Sequence, residues 1–371
     1  MRILLVEPYF SGSHRSWAEG YATHSEHDVR LITHPGEWWK WRIRASAVTL
    51  ASALGSLDDW KPDLVVVSDM IDLAQFRFFA REILVDIPCV LYFHESQLTY
   101  PSIPGEEVDL SYAFTNWTSA LAADVVLFNS GYHLQVFFES LPGLLKNFPD
   151  LTHEHLIDEV VSRSGVLPIG VDLDWIGKRT RRDGHPRLLW NHRWDHDKDP
   201  EAFVTAVEAL LHSGTEFDLV LLGWRPPQTP ASLSRVREIA GERIRHDQEA
   251  SIETYRELVT SCDVVVSTAL QEFFGMSVVE AVAAGCRPVL PNRLSYPWLI
   301  EEQWHTDVLY ESDGLVDGLR AALVDPVPPP GLSESMTRFS WTHMGPEYDQ
   351  RFESIVADGP GRSAGYHQYS S

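Results

Sequence analysis

Two series of short apolar segments, separated by stretches of helical character, set the strongest constraint on the fold of this chain. Such segments run, in order, through residues 2–8, 62–69, 88–95 and 123–130, and then through 186–194, 217–224, 262–269 and 287–292. They are apolar along their whole length instead of alternating, which is typical of strands that helices cover on both faces of a parallel sheet. The pattern therefore predicts an α/β protein with two domains, each built on a parallel sheet.

The length of 371 residues supports this division, because it exceeds what one hydrophobic core ordinarily serves. The segment SGVLPIGVDLDW at 164–175 places Pro and Gly after a strand and predicts the domain boundary. We expect an amino-terminal domain over 1–170, a second domain over 171–339, and a final amphipathic helix over 340–356 that crosses back to the first domain. The tail 357–371 has too little apolar content to pack and is expected to be disordered.

The charge balance limits the partners. The net charge is −23, from 30 Lys and Arg against 53 Asp and Glu. Broad adhesion to phosphate backbones grows with the number of cations presented, so any nucleic-acid contact must be local. No stretch approaches the roughly 18 apolar residues of a membrane helix. The amino terminus meets Glu7 and Pro8 too early for a signal peptide and predicts a first strand instead.

The cysteines indicate the compartment. Cys89, Cys262 and Cys286 lie in or beside apolar runs, and none belongs to a CxxC pair. Neither a disulfide framework nor a zinc site is predicted, and a reducing compartment, which we expect to be the cytoplasm, fits this usage.

The segment EFFGMSVVEAVAAG at 272–285 is the strongest local signal for a binding site. It follows a predicted strand, turns at Gly275 and enters a helix, whose first N–H groups near Met276 suit a phosphate or a sugar hydroxyl. Glu272 precedes the turn and Glu280 lies about one turn into the helix, so the two carboxylates can hold opposite ends of a sugar nucleotide. The alternative is that both glutamates are surface charges.

A second signal, NHRWDHDKDP at 191–200, follows the strand PRLLW. Arg193 and Lys198 lie on a loop and a helix start, where a guanidinium and an ammonium can together neutralise a diphosphate. The alternative is a solvated loop whose cations pair with its own acids, Asp195, Asp197 and Asp199.

Two loops after strands of the first domain supply further candidates. In YFHESQLTYP at 92–101, His94 can orient a sugar or accept a proton, or it is a hydrogen-bonded core histidine. In SGSH at 11–14, Gly12 lets the backbone approach a ligand, and the candidates to donate to that ligand are Ser13 and His14.

Several enzyme classes are excluded by what these loops lack. The first loop is not a GxGxxG fingerprint and the second strand, VRLITH, ends without an acid, so a nicotinamide dehydrogenase is not indicated. P-loop, HExxH and GxSxG motifs are absent. The histidines of THEHL at 152–156 lack metal-site spacing, and this segment is interpreted as a helix surface.

Together these motifs resemble a known family. EFFGMSVVE is similar to the E-x7-E motif of retaining glycosyltransferases with the GT-B fold, as in glycosyltransferase family 4. Six further stretches resemble, in the same order, the tRNA-queuosine α-mannosyltransferases: YFSGSH, WKWRIRASA, FHESQLTYP, ADVVLFNS, WNHRWDHDKDPEAF and the late FSW. The resemblance covers most of residues 1–345.

The resemblance implies a GT-B fold, with two facing Rossmann-like domains, parallel sheets and a cleft between them. It implies transfer of mannose from GDP-mannose to queuosine in a tRNA anticodon loop, with retention at the anomeric carbon and with neither a metal nor another cofactor. The implied catalytic residues are His94 and Glu272. The implied donor-binding residues are Gly12, Ser13, His14, Arg193, Lys198, Glu272, Phe273, Phe274, Gly275, Met276 and Glu280, with the Phe273–Met276 segment acting through its backbone.

The acceptor side is less well defined. Ser11 and Ser96 stand where animal members of the family tend to carry Gly and Asn, and their long polar insertion is absent. An acceptor other than tRNA, a lipid or a small glycoside, is one alternative. A non-catalytic sugar-nucleotide or RNA-binding protein of the same fold is another, although none of the implied catalytic or diphosphate-binding side chains is lost.

The segment GEWWKWRIRAS at 36–46 concentrates indoles and cations. In an extended conformation Trp39, Trp41 and Ile43 share one side and Lys40, Arg42 and Arg44 the other, so we expect one face in the core and one at the acceptor. Bases of an RNA loop or a lipid surface would suit this chemistry, and the family resemblance favours RNA. The expected acceptor-binding residues are Trp38, Trp41, Arg42, Arg44, Gln97 and Tyr100.

Overall fold

The protein contains two compact units, each with its own parallel sheet. The computed structural model describes residues 1–57, 59–101, 109–177 and 184–359. Unit 1 comprises Met1–Gly170 and the chain from Trp341 onward, and unit 2 comprises Val171–Ser340. Each sheet has six strands, all parallel, so the predicted α/β class with two parallel sheets is confirmed.

The sheet of unit 1 has the order β2-β1-β3-β4-β5-β6. Its strands are β1 Arg2–Phe10, β2 Asp28–Pro35, β3 Leu64–Ser68, β4 Cys89–Phe93, β5 Val125–Phe128 and β6 Ser164–Val166. Every residue of β3, β4 and β5 is buried, because helices cover both faces of the sheet, as their continuous apolar sequence predicts.

Seven helices of unit 1 accompany these strands. They are α1 Gly12–His24, α2 Trp39–Ala53, α3 Leu73–Phe79, α4 Arg81–Leu84, α5 Leu110–Ala122, α6 Gly131–Leu145 and α7 Ile157–Ser162. The buried faces of α2 to α7 join the sheet in one apolar cluster that includes Leu50, Phe76, Trp117 and Phe137.

The sheet of unit 2 has the order β12-β11-β10-β7-β8-β9. Its strands are β7 Arg187–Trp190, β8 Asp218–Leu221, β9 Ile244–Asp247, β10 Val264–Val266, β11 Arg287–Pro291 and β12 Leu309–Tyr310. Its helices are α8 Pro200–His212, α9 Ala231–Ala240, α10 Ile252–Thr260, α11 Met276–Ala283, α12 Tyr296–Leu299, α13 His305–Val308, α14 Leu315–Val324 and α15 Leu332–Ser335. The core stacks Trp190 and Trp194 beside Phe203.

The last helix, α16 Trp341–Asp358, packs within unit 1. A Cβ added to Gly20 or Gly170 would overlap the Trp341 indole, so both glycines are needed to seat it. Tyr348 accepts a hydrogen bond from Trp17 Nε1 at 3.0 Å and is fully buried. The helix runs two residues past its predicted end, and the part of the expected tail from residue 360 lies outside the described residues.

The tryptophan-rich segment at 36–46 is helical from Trp39 onward, so the extended conformation for which its side chains were divided between two faces is not the one found. Trp38 has a left-handed backbone, with φ 57° and ψ 51°, and α2 begins at Trp39. The buried residues of α2 recur at helical spacing, as in Ile43, Ala47 and Leu50, and this downstream period determines the conformation. Trp39 lies one helical turn before Ile43 and is half-buried against Tyr112, whereas Trp41 lies on another face of α2 and is 62% exposed.

In each sheet at least one candidate loop follows a strand at which the strand order reverses. In unit 2, β7 is paired with β10 on one side and β8 on the other, and the loops after β7 and β10 leave from the same edge. In unit 1, β1 lies between β2 and β3. Ligands of open parallel sheets bind at such points, outside the carboxyl ends of the strands. Among the described residues, none of the helices has both the length and the apolar character that crossing a membrane requires.

Candidate functional site

The loops after β7 and β10 bring two predicted residues together in unit 2. Lys198 is 8% exposed, and its Nζ donates to the carbonyl oxygen of Gln271 at 2.6 Å and to Glu272 Oε2 at 3.2 Å. The hydroxyl of Thr268 donates to the Lys198 carbonyl at 2.7 Å, which ties the two loops together a second time. The predicted ammonium and the predicted carboxylate thus form one buried pair.

Asp197 organises both predicted cations and was not among the predicted site residues. It is 1% exposed, and its Oδ2 lies 3.1 Å from Arg193 Nη2 and 3.2 Å from Lys198 Nζ. Its backbone carbonyl accepts from the N–H of Gln271 at 3.1 Å. The alternative that the acids of this loop pair with its cations holds at Asp197, but this residue is buried instead of solvated. The sequence signal was its position between the two cations. The other acids of the segment cap helices, Asp195 a single 3₁₀ turn at residues 196–198 and Asp199 the helix α8.

The charges of this cluster stabilise one another. Burial alone would lower the pKa of Lys198, but the carboxylates of Glu272 and Asp197 outweigh that effect and raise it. Burial would raise the pKa of Asp197, but Lys198 and Arg193 lower it. Lys198 and Asp197 thus favour each other's charged form, while the Arg193 side chain remains 47% exposed. Arg193 is therefore the cation of this cluster that an anion can reach most easily.

The turn before α11 depends on Gly275. Its φ of 101° is a left-handed conformation that side chains disfavour, and it directs the first N–H groups of α11 out of the helix. Those of Met276 and Ser277 have no acceptor within the described part of the chain. Phe273 and Phe274 are 5% and 2% exposed, so their side chains belong to the core and only their backbone can meet a ligand.

Glu280 lies at the end of a short hydrogen-bond chain. Asn191 Nδ2 donates to the Tyr255 hydroxyl at 2.9 Å, and that hydroxyl donates to Glu280 Oε2 at 2.6 Å. Burial raises the pKa of Glu280 to about 7, although the Tyr255 hydrogen bond opposes the rise. Neither Asn191 nor Tyr255 was predicted, and the separation of Tyr255 from Glu280 along the chain gives no local signal. The interpretation of Glu280 as a surface charge is wrong.

In unit 1 the two predicted histidines lie against each other. The ring centroids of His14 and His94 are 4.2 Å apart, and both side chains are buried. His14 Nδ1 lies 3.1 Å from Glu7 Oε2, and the backbone N–H of His94 donates to Asp69 Oδ1 at 2.7 Å. Both ring nitrogens of His94 lack a hydrogen-bond partner within the described residues. The alternative that His94 is a core histidine with a hydrogen-bonded ring is therefore wrong, although the side chain is buried.

The pKa values of His14 and His94 are shifted in opposite directions. Burial lowers the pKa of His14, but Glu7, Asp69 and Glu95 overcome this and raise it to about 9. Burial, followed by the charge of His14, lowers the pKa of His94 well below its ordinary value. Among the described residues, Glu7, His14 and His94 are the one group whose potential metal-ligand atoms all lie within 4.8 Å of one another.

In the loop after β1, Gly12, the residue predicted to approach a ligand, has free space beside its Cα. Gly12 has a φ of 51°, and a Cβ there would meet no atom within 4 Å. Ser13 is exposed at the start of α1. Ser11, the residue that departs from the animal pattern, lies so close to Gly36 that a Cβ at residue 36 would overlap its hydroxyl.

The predicted acceptor residues occupy different environments. Trp38 and Trp41 are 76% and 62% exposed at the start of α2. Arg42 Nε donates to the carbonyl of Pro35 at 3.1 Å. Arg44 is held by other groups of the protein, since it donates to Asp109, Ser111 and Tyr112 and lies over the Tyr112 ring.

The remaining two predicted acceptor residues follow β4. The backbone N–H of Gln97 donates to Asn116 Oδ1 at 2.9 Å, and its side-chain amide donates to Glu95 at 3.3 Å. Tyr100 is half-buried. The structure thus brings together Lys198 with Glu272 and His14 with His94, whereas Arg44 is largely engaged within unit 1.

Comparison of the sequence with known families gives two consecutive matches. Residues 2–171 match the family described as tRNA-queuosine alpha-mannosyltransferase N-terminal, and residues 173–338 match the family described as glycosyl transferases group 1. The chain is also 30% identical over 306 residues to a tRNA-queuosine alpha-mannosyltransferase of Drosophila melanogaster, with 80% of each chain covered.

Solved structures resemble this chain over nearly its whole length. A sucrose-phosphate synthase from Thermosynechococcus elongatus matches with a TM-score of 0.71 at 14% identity, covering 96% of this chain and 99% of the other. Anabaena HepE in complex with UDP and glucose matches with a TM-score of 0.69 at 13% identity, covering 96% and 100%. A glycosyltransferase from Rickettsia africae matches with a TM-score of 0.67 at 15% identity, covering 96% and 98%. At these identities the likeness shows the fold alone.

Proposed function

The chain belongs to the tRNA-queuosine alpha-mannosyltransferase family and is a glycosyltransferase with the GT-B fold, and from this premise we propose that it transfers mannose from GDP-mannose to queuosine in the anticodon loop of a tRNA. The reaction breaks the bond between the anomeric carbon and the diphosphate oxygen, and forms a bond from that carbon to a hydroxyl of the queuosine cyclopentenediol. GDP leaves, and the anomeric configuration is retained.

The buried cluster of Asp197, Lys198 and Glu272 is the observation that most supports this proposal. A departing GDP carries negative charge that must be stabilised in the transition state. Lys198 supplies a fixed ammonium, since Asp197 and Glu272 raise its pKa and three acceptors hold its Nζ. Arg193 adds a half-exposed guanidinium on the same aspartate. The free N–H groups at the start of α11 add the positive end of a helix dipole.

Other residues of unit 2 suit the rest of the donor. The carboxylate of Glu280 would accept hydrogen bonds from the ribose hydroxyls, and Tyr255 leaves its Oε1 available for them. Glu272 Oε1 has no hydrogen-bond partner in the described residues, so it is available to a mannose hydroxyl while Oε2 binds Lys198. These cations and N–H groups take the role that a metal plays in other transferases, and we therefore propose catalysis without a metal or another cofactor.

Retention follows if acceptor and leaving group react on the same face of the sugar. We propose that the departing diphosphate oxygen takes the proton of the queuosine hydroxyl as the new bond forms, so that no separate base is required. His94 would face the reacting centre as a neutral ring, in keeping with the lowering of its pKa. Its two unpartnered nitrogens are suited to sugar hydroxyls.

The start of α2 supports a tRNA acceptor. Two exposed indoles, Trp38 and Trp41, and the adjacent cations Lys40 and Arg42 offer stacking surfaces and charge to the unstacked bases and phosphates of an RNA loop. Arg44 would contribute only after releasing Asp109. The nucleotide sugar and tRNA are the proposed partners, and the cytoplasm is the proposed location.

The proposal is tested by incubating the protein with GDP-mannose, UDP-glucose or UDP-galactose, each with queuosine-containing or queuosine-lacking tRNA. Mass spectrometry of the digested nucleosides would show one added hexose on queuosine with GDP-mannose alone. Lys198→Ala should abolish this product, whereas Lys146→Ala, which removes an exposed lysine of α6's carboxyl end, should not. Labelling of a lipid or a small glycoside in place of queuosine would reject the acceptor, and hexose from a UDP sugar would reject the donor.

A further inference from the structure

A buried acid in unit 1 has no part in the function proposed above. Glu7 is 0% exposed and lies near the carboxyl end of β1, where the flanking side chains are apolar. Its Oε1 accepts from the backbone N–H of Tyr9 at 2.7 Å, and its Oε2 lies 3.1 Å from His14 Nδ1. A carboxylate is costly to bury unless it is paired, so this position indicates a specific use for its charge.

We propose that Glu7 is a positioning residue that holds His14 as an imidazolium whose Nε2–H is directed to a phosphate oxygen of the substrates. The hydrogen bond from Nδ1 to Glu7 fixes the ring and leaves Nε2 as its second donor. Within the described residues no other hydrogen bond to His14 is made. The identity of the phosphate, which belongs to the donor or to tRNA, rests on the proposed function. The ionisation of His14 does not rest on it.

The groups around Glu7 and His14 favour a charged His14 imidazolium. The ionisable groups facing His14 are Glu7 and Tyr9 on β1, Asp69 after β3, and His94 and Glu95 after β4. Asp69 is 2% exposed, and burial raises its pKa to about 8, so its charge contributes less to raising the pKa of His14 than the charge of Glu7 does. Glu95 is half-buried, and its Oε1 accepts from Gln97.

The neighbouring His94 takes the opposite state for a physical reason. Its ring centroid is 4.2 Å from that of His14, and a second imidazolium at this distance would repel the first. His133, on the helix that follows β5, adds to the lowering of its pKa. The pair therefore combines one fixed cation with one neutral ring, and Glu7 determines which histidine carries the charge.

The variant Glu7→Gln tests this inference, since it keeps the shape and removes the charge. Its matched control is Glu19→Gln, which makes the same change in an exposed pair with Arg15 on α1. Protein labelled with ¹⁵N-histidine would be titrated by NMR, and the His14 signals would be assigned by their loss in His14→Ala. In the unsubstituted protein and in the control, His14 should titrate near pH 9. In Glu7→Gln its midpoint should fall by about two to three pH units.

Kinetics then identify the phosphate. Relative to the unsubstituted protein, Glu7→Gln should raise the KM for either GDP-mannose or tRNA by about tenfold at pH 8.5. At pH 5.5 the same KM should rise by less than about twofold, because His14 is then protonated even without Glu7. A rise in the KM for GDP-mannose assigns the donor phosphate, and a rise in the KM for tRNA assigns an RNA phosphate. The ratio to the unsubstituted protein cancels the titration of other groups.

Three results would overturn the inference. One is a His14 that is neutral at pH 7.5 in the unsubstituted protein. This measurement needs no variant, so it decides the question even if Glu7→Gln does not fold. Another is a loss of activity in Glu7→Gln that is equal at all pH values, which indicates a structural role alone. The third is one equivalent of a transition metal bound through His14 and His94, because the metal would replace the proton. Failure of mannose transfer with an unchanged His14 titration would reject the proposed function but leave the ionisation of His14 intact.

Discussion

Replacing Tyr255 with Phe should weaken donor binding by changing the ionisation of Glu280. In the structure the Tyr255 hydroxyl donates to Glu280 Oε2 at 2.6 Å and is itself held by Asn191. A hydrogen bond to a charged group contributes about 1.5–3 kcal/mol, and about 1.4 kcal/mol corresponds to one pH unit. Loss of the hydroxyl should thus raise the pKa of Glu280 from about 7 to between about 8 and 9.

The consequence can be calculated at pH 7.5. With a pKa of about 7, about three quarters of Glu280 is ionised, and with a pKa near 8.5 the fraction falls to about a tenth. Because the carboxylate accepts ribose hydroxyls more strongly than the neutral acid, the KM for GDP-mannose should rise by roughly eightfold. The difference should nearly vanish at pH 9.5, and kcat at saturating donor should change by less than about twofold.

The assay is steady-state transfer at pH 6 to 9.5, together with calorimetric binding of GDP. Tyr310→Phe is the matched control, because its hydroxyl is also buried in unit 2 but donates to the Ser267 carbonyl at 2.9 Å instead of to a carboxylate. The reasoning is refuted if Tyr255→Phe raises the donor KM equally at all pH values, or if the control shows the same pH dependence.

Three further predictions concern other parts of the site. Lys198→Ala should lower kcat/KM by at least about 100-fold and, by leaving Glu272 without its cation and Asp197 with Arg193 alone, cost about 1–3 kcal/mol of stability; turnover close to that of the unsubstituted protein would contradict this. Gly275→Ala should cost about 1–2 kcal/mol, because its φ is 101°, and a thermal melt should show a decrease of a few degrees with a larger loss of donor affinity. Trp41→Ala should raise the KM for tRNA about tenfold and leave that for GDP-mannose unchanged; an unchanged tRNA KM would remove α2 from the acceptor site.

The strands were predictable where burial on both faces makes a segment apolar throughout. Segments such as LVVVS at β3 and CVLYF at β4 are buried at every residue, and their sequence indicates this directly. The edge strands β9 and β12 were missed, because β9 reads IRHD and β12 has two residues, so neither carries an apolar run. The tryptophan segment misled for a related reason, since its local alternation was overruled by the helical period that begins at Ile43.

The cations of the candidate site and the Glu272 carboxylate were predictable, whereas the side chains that reach the site residues from other elements were not. Arg193 and Lys198 follow a predicted strand and are found together there. Tyr255 approaches Glu280 only through the packing of α10 beside α11, and Asp69 approaches the histidines only through the pairing of β3 with β1. Contacts of this kind depend on tertiary structure, so no spacing along the chain encodes them.

The two units hold their cations in the same way, and this bears on how so acidic a protein binds anionic substrates. With a net charge of −23, its long-range field repels GDP-mannose and tRNA. Flexible surface cations would be a weak remedy, because each must lose conformational entropy to bind. Asp197 for Lys198, and Glu7 for His14, instead keep the cation charged and in place before the substrate arrives. Each acid reduces the net charge of its pocket, but it also removes the cost of ordering the cation. The second effect is the larger one when transition-state stabilisation depends on preorganised charge.

For this reason loss of the acid should reduce activity as much as loss of the cation. A double variant such as Asp197→Asn with Lys198→Met should be little less active than either single variant, whereas the losses from two independent contributions would multiply.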